Sequence, residues 1–190
     1  MPNWCFTNYV IEGDKEEIAD LMQKLESLEQ RDIPLVENGF GKNWLGCVIV
    51  LFAGDWNDFD CRGNFMELER LGDTTLRFDT ETAWSEMSDV WKFVCGKYKS
   101  LKYCFLAEEP GCCYYATNDT DRKYFPDRFF VEQGDMERQC HESEQSLFRD
   151  ISERTGVEIK SLKKLQKVID AYNDTHEDNE IYVYEFSMVE

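Results

Sequence analysis

The sequence predicts an α+β fold, and three observations carry that prediction. Two stretches place apolar residues at helical spacing, several short runs are rich in aromatic and β-branched residues, and Gly/Asp turns separate them. With 190 residues, 42% hydrophobic and 14% aromatic, the chain is long enough to bury a core without a disulfide or a metal.

Residues 4–12 (WCFTNYVIE) read as a strand, ended by Gly13-Asp14. Asp14 and Glu17 have the spacing of a helix cap and its reciprocal partner. Ile18, Leu21, Met22, Leu25 and Leu28 then recur on one face of an amphipathic helix. Pro34, Gly39 and Gly41 make 31–43 a loop. The unbroken apolar run Leu45 to Phe52 (LGCVIVLF) predicts a strand covered on both faces. A polar turn at Gly54, Asp55, Asn57 and Asp58 leads to a strand over 64–70, and Gly72-Asp73 turns the chain into an extended piece over 75–79.

Ser85 is the expected cap of a second helix carrying Met87, Val90, Trp91, Val94, Cys95 and Tyr98. Leu101 to Ala107 returns as a strand. The order is βαββαβ, which predicts a ferredoxin-like antiparallel sheet with helices on one face. Cys112–Thr117 and Arg128–Glu132 read as an added β-hairpin. Leu147, Phe148 and Ile151 mark a helix ending at Gly156, and Leu162, Leu165, Val168, Ile169 and Tyr172 mark another, capped by Ser161. Ile181–Met188 is the final strand. The expected organisation is therefore a ferredoxin-like domain with its hairpin over 1–135. Residues 136–190 add C-terminal helices and a strand packed on the same domain, too small for a core of their own.

The formal net charge of -18 disfavours direct contact with nucleic acid, whose phosphates require concentrated Lys and Arg. It equally disfavours docking on anionic membranes. It suits a well-solvated surface, recognition of a basic partner, or mimicry of nucleic-acid charge. The first residues lack the basic and apolar regions of a signal peptide, and no apolar stretch approaches a membrane span. A cytoplasmic protein with reduced thiols is the expectation, its eight cysteines acting mostly as small hydrophobes.

Candidate chemistry is sparse. The two histidines, His141 and His176, lie in acidic surroundings, and the nucleophile-elbow, Walker and dinucleotide-binding motifs are missing. Cys112-Cys113 and Cys140-His141 lack the paired spacing of a zinc site, and neighbours on a strand would face opposite ways. The carboxylates around Trp56 (GDWNDFD) depart from the calcium-loop pattern, with Asp60 where that loop needs Gly and Met66 where it needs Glu. Strand aromatics such as Trp4, Phe6, Tyr9, Tyr103, Phe105, Tyr114 and Tyr115 suit base stacking, yet the basic rim of an RNA module is missing, and core packing accounts for most of them. The sequence therefore predicts no cofactor, no metal and no enzyme activity.

Trp44, Trp56 and Trp84 fall at predicted element ends, where a ring either caps the core or anchors a partner. The residues selected as a binding surface are Trp56, Asp58, Asp60, Trp84, Glu86, Glu108 and Glu109.

The opening Met-Pro-Asn-Trp-Cys, the Trp56-Asn57-x-Phe59-Asp60 turn, and Leu76–Thr80 running to Thr82-Ala83-Trp84-Ser85 resemble the YubB-like proteins of plasmids and phages. The resemblance covers roughly residues 1–135, with Leu101–Ala107 and the Glu108-Glu109-Pro110-Gly111 turn where that family has its strand and Glu-x-Gly-like turn. It departs in the short segment Arg31–Asn43, where the family has a longer proline-containing stretch, and residues 136–190 have no counterpart. The resemblance implies a ferredoxin-like domain, a mobile genetic element as source, and binding in place of catalysis. It carries over no catalytic residues. The expected function is that of a non-enzymatic accessory protein acting on a protein partner. The alternatives are an anti-defence inhibitor that occupies the nucleic-acid channel of a basic nuclease or CRISPR-type complex, and a cryptic metal-dependent enzyme.

Overall fold

A computed structural model describes residues 3–189, so Met1 and Pro2 of the N-terminal motif, with Glu190, lie outside the described residues. The chain has α+β architecture and divides into two compact units, one of residues 1–119 with 189–190, the other of residues 120–188. Among the described residues, no helix is long and apolar enough to cross a membrane.

The first unit runs β1 (Trp4–Glu12), α1 (Lys15–Glu29), α2 (Leu45–Leu51), β2 (Gly63–Arg70), β3 (Thr75–Ala83), α3 (Ser88–Cys95), β4 (Lys102–Glu109) and β5 (Tyr114–Thr117). Its strands lie in the order β2-β3-β1-β4-β5. Each of the pairs β2-β3, β3-β1, β1-β4 and β4-β5 is antiparallel. The central pair runs in unbroken register from Trp4 opposite Ala83 to Glu12 opposite Thr75. Alternation sends Cys5, Tyr9 and Ile11 of β1 and Leu76 and Phe78 of β3 into one core with the three helices. Ile18, Leu21, Leu25 and Leu28 of α1 are fully buried there, each worth about 2 kcal/mol of transfer free energy. Asp14 sits at the helix cap without a side-chain cap bond, while Glu17 accepts from the backbone of Lys99 and Ser100.

The expected strand over Leu45–Phe52 is instead helix α2. Leu45, Gly46, Cys47, Val48 and Ile49 are all buried, and a segment enclosed on every side shows no period from which to tell strand from helix. Gly46 is required there, because a Cβ would overlap the Trp44 ring. Ser85 is not the cap of the following helix: α3 starts at Ser88, capped by Met87. The predicted hairpin of Cys112–Thr117 with Arg128–Glu132 does not form, since β5 pairs with β4. Cys112 ends a 3-10 turn (Pro110–Cys112) instead of lying on the strand with Cys113 that the sequence predicts, and both are exposed.

Strand β2 has an irregularity between Met66 and Glu69, where its register on β3 shifts and Glu67 takes a left-handed φ of 54°.

The second unit holds β6 (Phe129–Gln133), β7 (Gln139–His141), α4 (Glu144–Thr155), α5 (Leu162–Asn173) and β8 (Ile181–Glu185), with the strands ordered β7-β6-β8. Phe129, Val131, Leu147, Ile151, Ile159, Leu165, Val168, Ile169 and Ile181 give these residues a core that the sequence reading had not assigned to them. Ser143 caps α4 by accepting from Ser146 N–H, and Ser161 caps α5 through Lys164 N–H. Asp150 on α4 ties the unit's polar side together: its carboxylate meets His141 Nε2 at 3.0 Å and accepts from Arg154 Nε at 2.8 Å.

Candidate functional site

Part of the selected set meets at the β3–α3 end of the first unit. Here β3 stops at Ala83, and Trp84 follows in a left-handed conformation with φ of 76°. Met87 is a second non-glycine residue in that region, at φ of 55°, so four residues contain two strained positions. Hydrogen bonds hold the turn: the Thr82 hydroxyl donates to Ser85 O at 2.6 Å, and the Tyr9 hydroxyl donates to Glu86 O at 2.7 Å. Burial, followed by the charge of Glu86, raises the Tyr9 pKa well above its ordinary value, so the phenol keeps its proton as a donor.

Glu86 is a fixed carboxylate. It accepts from Tyr114 Oη at 2.6 Å and from Ser88 Oγ at 3.0 Å. Burial and the hydrogen bond to Glu86 push the Tyr114 pKa well up. Beside Glu86 lies a cleft of about 540 Å³ whose lining includes Asp58, Asp60, Asp89, Lys92 and the rings of Phe59 and Phe93. Asp58 belongs to a 3-10 turn (Trp56–Asp58) opened by Asp55, whose carboxylate accepts from Asn57 N–H and is lowered by that bond. Three of the seven selected residues, Asp58, Asp60 and Glu86, therefore share one cleft.

The other four are placed differently. Trp56 is half-buried, with its ring edge-on to the buried Trp44 at 5.2 Å. Trp84 is 45% exposed. Glu108 is half-buried on β4, opposite Phe6. Glu109 is buried and accepts from Gly111 N–H at 2.8 Å and Cys112 N–H at 2.6 Å. Burial works to raise its pKa, but the Cys112, Gly111 and Asn3 hydrogen bonds outweigh it and hold the group below the ordinary glutamate value. Its part is to shape the turn after β4.

The sequence reading missed Asp89, Lys92 and Phe93 in the cleft and the exposure of Trp4 and Phe6. Trp4 is 39% and Phe6 54% exposed, whereas Tyr9 and Phe105 are buried. The signal was the alternation in β1, which puts Cys5 and Thr7 on the core side and Trp4 and Phe6 on the other. Trp84 N–H donates to Asn3 O, so Trp84 and Trp4 lie at the same end of the sheet.

The buried Cys5 thiol is pushed up to about 11, chiefly by burial, and stays protonated near neutral pH. Among the described residues, no group of three or more His, Cys, Asp or Glu side chains is arranged to hold a metal ion. The site offers fixed carboxylates, exposed indole and phenyl rings and a rigid turn, a combination suited to cationic and apolar groups. In comparisons with known proteins, no family model, curated protein or solved structure matches the chain.

Proposed function

We propose that the chain is a non-enzymatic binding protein that holds a basic segment of a protein partner at the β3–α3 end of its first unit. The observation that carries this is the convergence of Asp58, Asp60, Glu86 and Asp89 on one cleft, next to the exposed Trp84 in its strained turn. Carboxylates steer a cationic partner and suppress acidic competitors, while an exposed indole supplies apolar anchoring area. The net charge of -18 extends that steering over the whole chain.

Within the same reading, the first unit is a ferredoxin-like domain and the chain is a YubB-like protein of a mobile genetic element, acting in the cytoplasm. Strand order β2-β3-β1-β4, all antiparallel, with helices between β1 and β2 and between β3 and β4, supports the ferredoxin-like assignment. The Trp56-Asn57-x-Phe59-Asp60 and Thr82-Ala83-Trp84-Ser85 motifs support the family.

The test is capture from a lysate of the natural host with three tagged forms: wild type, Trp84→Ala, and the pair Asp58→Asn with Asp60→Asn. A protein retained by wild type and lost from both variants, with melting temperatures matched, supports the reading. Equal retention by all three overturns it. Displacement of that protein by duplex DNA identifies the partner as a basic nucleic-acid-binding protein.

A further inference from the structure

We infer that Phe6 and Glu81, on the outer face of the first unit's sheet, form a receptor for an arginine side chain of the partner. The inference rests on the basic-partner reading above and adds a second contact surface, separate from the cleft. Phe6 on β1 and Glu81 on β3 are direct cross-strand partners. Side chains opposite one another on antiparallel strands have Cβ atoms about 5 Å apart, so one flat cation can cover the ring and reach the carboxylate together. The Phe6 ring is 54% exposed, a large apolar surface turned to solvent in a strand whose other rings are better covered.

The row through the ring runs Asn64, Glu81, Phe6, Glu108 and Tyr115, so a carboxylate-bearing residue stands on either side of Phe6. Glu81 faces Asn64 on β2, whose buried side-chain oxygen has no hydrogen-bond partner among the described residues. Asp79, next on the same face of β3, already accepts from Asn8 Nδ2 at 2.7 Å. The outer positions of β3 run Ala83, Glu81, Asp79, Arg77, so the nearest cation of that strand is two rows from Glu81. Trp4 precedes Phe6 by two residues on the same face, about 7 Å along the strand, which is also the i, i+2 spacing of an extended peptide.

Arginine fits this arrangement better than lysine. Its planar guanidinium stacks on an aromatic face while its N–H edge pairs with a carboxylate, whereas an ammonium is a more strongly hydrated point charge. The ligand is therefore an extended protein segment with arginine at alternate positions.

The experiment is fluorescence anisotropy with a labelled Arg-Gly-Arg-Gly-Arg peptide and its citrulline counterpart, which keeps the shape and removes the charge. Wild type, Phe6→Ala, Phe6→Leu, Glu81→Gln and the Asp58→Asn/Asp60→Asn pair are titrated under identical salt, with folding checked by circular dichroism. Expected are affinity about tenfold weaker for citrulline, and about threefold losses for Phe6→Leu and Glu81→Gln. Phe6→Leu keeps apolar bulk and removes the ring, so its loss is not a folding effect. Unchanged affinity in folded Phe6 and Glu81 variants, with loss in the cleft pair, overturns the receptor and leaves the basic-partner reading standing. Equal binding of both peptides to wild type, or of neither, overturns both.

Discussion

The backbone N–H of Trp84 donates to the carbonyl of Asn3 across 3.0 Å while Trp84 holds a φ of 76°. A side chain in that conformation is strained, and only glycine adopts it freely. Trp84→Gly should therefore be more stable than Trp84→Ala by about 0.5–1 kcal/mol, although both lack the ring. Chemical denaturation of the two variants measures this. Greater stability of the alanine form would show that the turn relaxes out of the left-handed region.

Thr80 and Thr82 both point into the core from β3, yet only one has a partner. The Thr82 hydroxyl donates to Ser85 O, while Thr80 Oγ1 is buried with no hydrogen-bond partner among the described residues. Replacing a buried orphan hydroxyl by an isosteric methyl removes a desolvation penalty, whereas doing so at a satisfied one loses a bond. Thr80→Val should raise stability by about 1 kcal/mol and Thr82→Val should lower it by a similar amount. Melting curves of the two variants with opposite shifts are the expected result.

Thiol reactivity should separate the cysteines by burial. Burial pushes Cys5 and Cys61 up to about 11 and Cys95 up to about 12, while Cys112, Cys113 and Cys140 are exposed. A colorimetric disulfide reagent added to native protein near pH 7.5 should modify the three exposed thiols quickly and the four buried ones, Cys47 included, only after denaturation.

The Glu109 turn gives the first unit an acid-sensitive element. Its carboxyl is held below the ordinary value near 4.5, so its contribution is present above that value and is lost as pH falls through the folded-state pKa. Asp20, lowered by hydrogen bonds from Lys24 and Tyr98, acts in the same direction. The stability gap between wild type and Glu109→Gln should be widest above about pH 5 and should close as the solution becomes more acidic. A gap independent of pH would show that the carboxylate charge is not what stabilises the turn.

In the second unit, Arg154 Nε and His141 share Asp150, and Arg154 also donates to Gln133 Oε1 at 2.7 Å. Asp150→Asn leaves a largely buried guanidinium without its charge partner. It should cost about 1–3 kcal/mol, read from the unfolding of the second unit.

Periodic elements were legible in the sequence because their physics is local. The faces of α1 and α5, with Ser161 as a cap, follow from spacing alone, while β3 runs on to Ala83, past the extended piece expected over 75–79. Helix α2 is not legible in this way, because the burial of all five residues from Leu45 to Ile49 leaves no period to read. The cleft was half legible. Asp58, Asp60 and Glu86 stood out as carboxylates beside tryptophans, but Tyr114, which fixes Glu86, lies 28 residues further on. Trp56 and Trp84 look alike in sequence, and only the packing of Trp44 against Trp56 separates a half-buried ring from an exposed one. The exposure of Phe6 depends on what covers one sheet face, a tertiary property.

The displaced register between Met66 and Glu69 lies on β2, an edge of the first unit's strand array. A continuous edge would present an even row of amides and carbonyls on which another chain's strand could crystallise. Here the row is broken at Glu67, and Glu69 and Arg70 place exposed charges beyond the break. The distortion interrupts that row and so makes β2 a poorer template for another chain's strand.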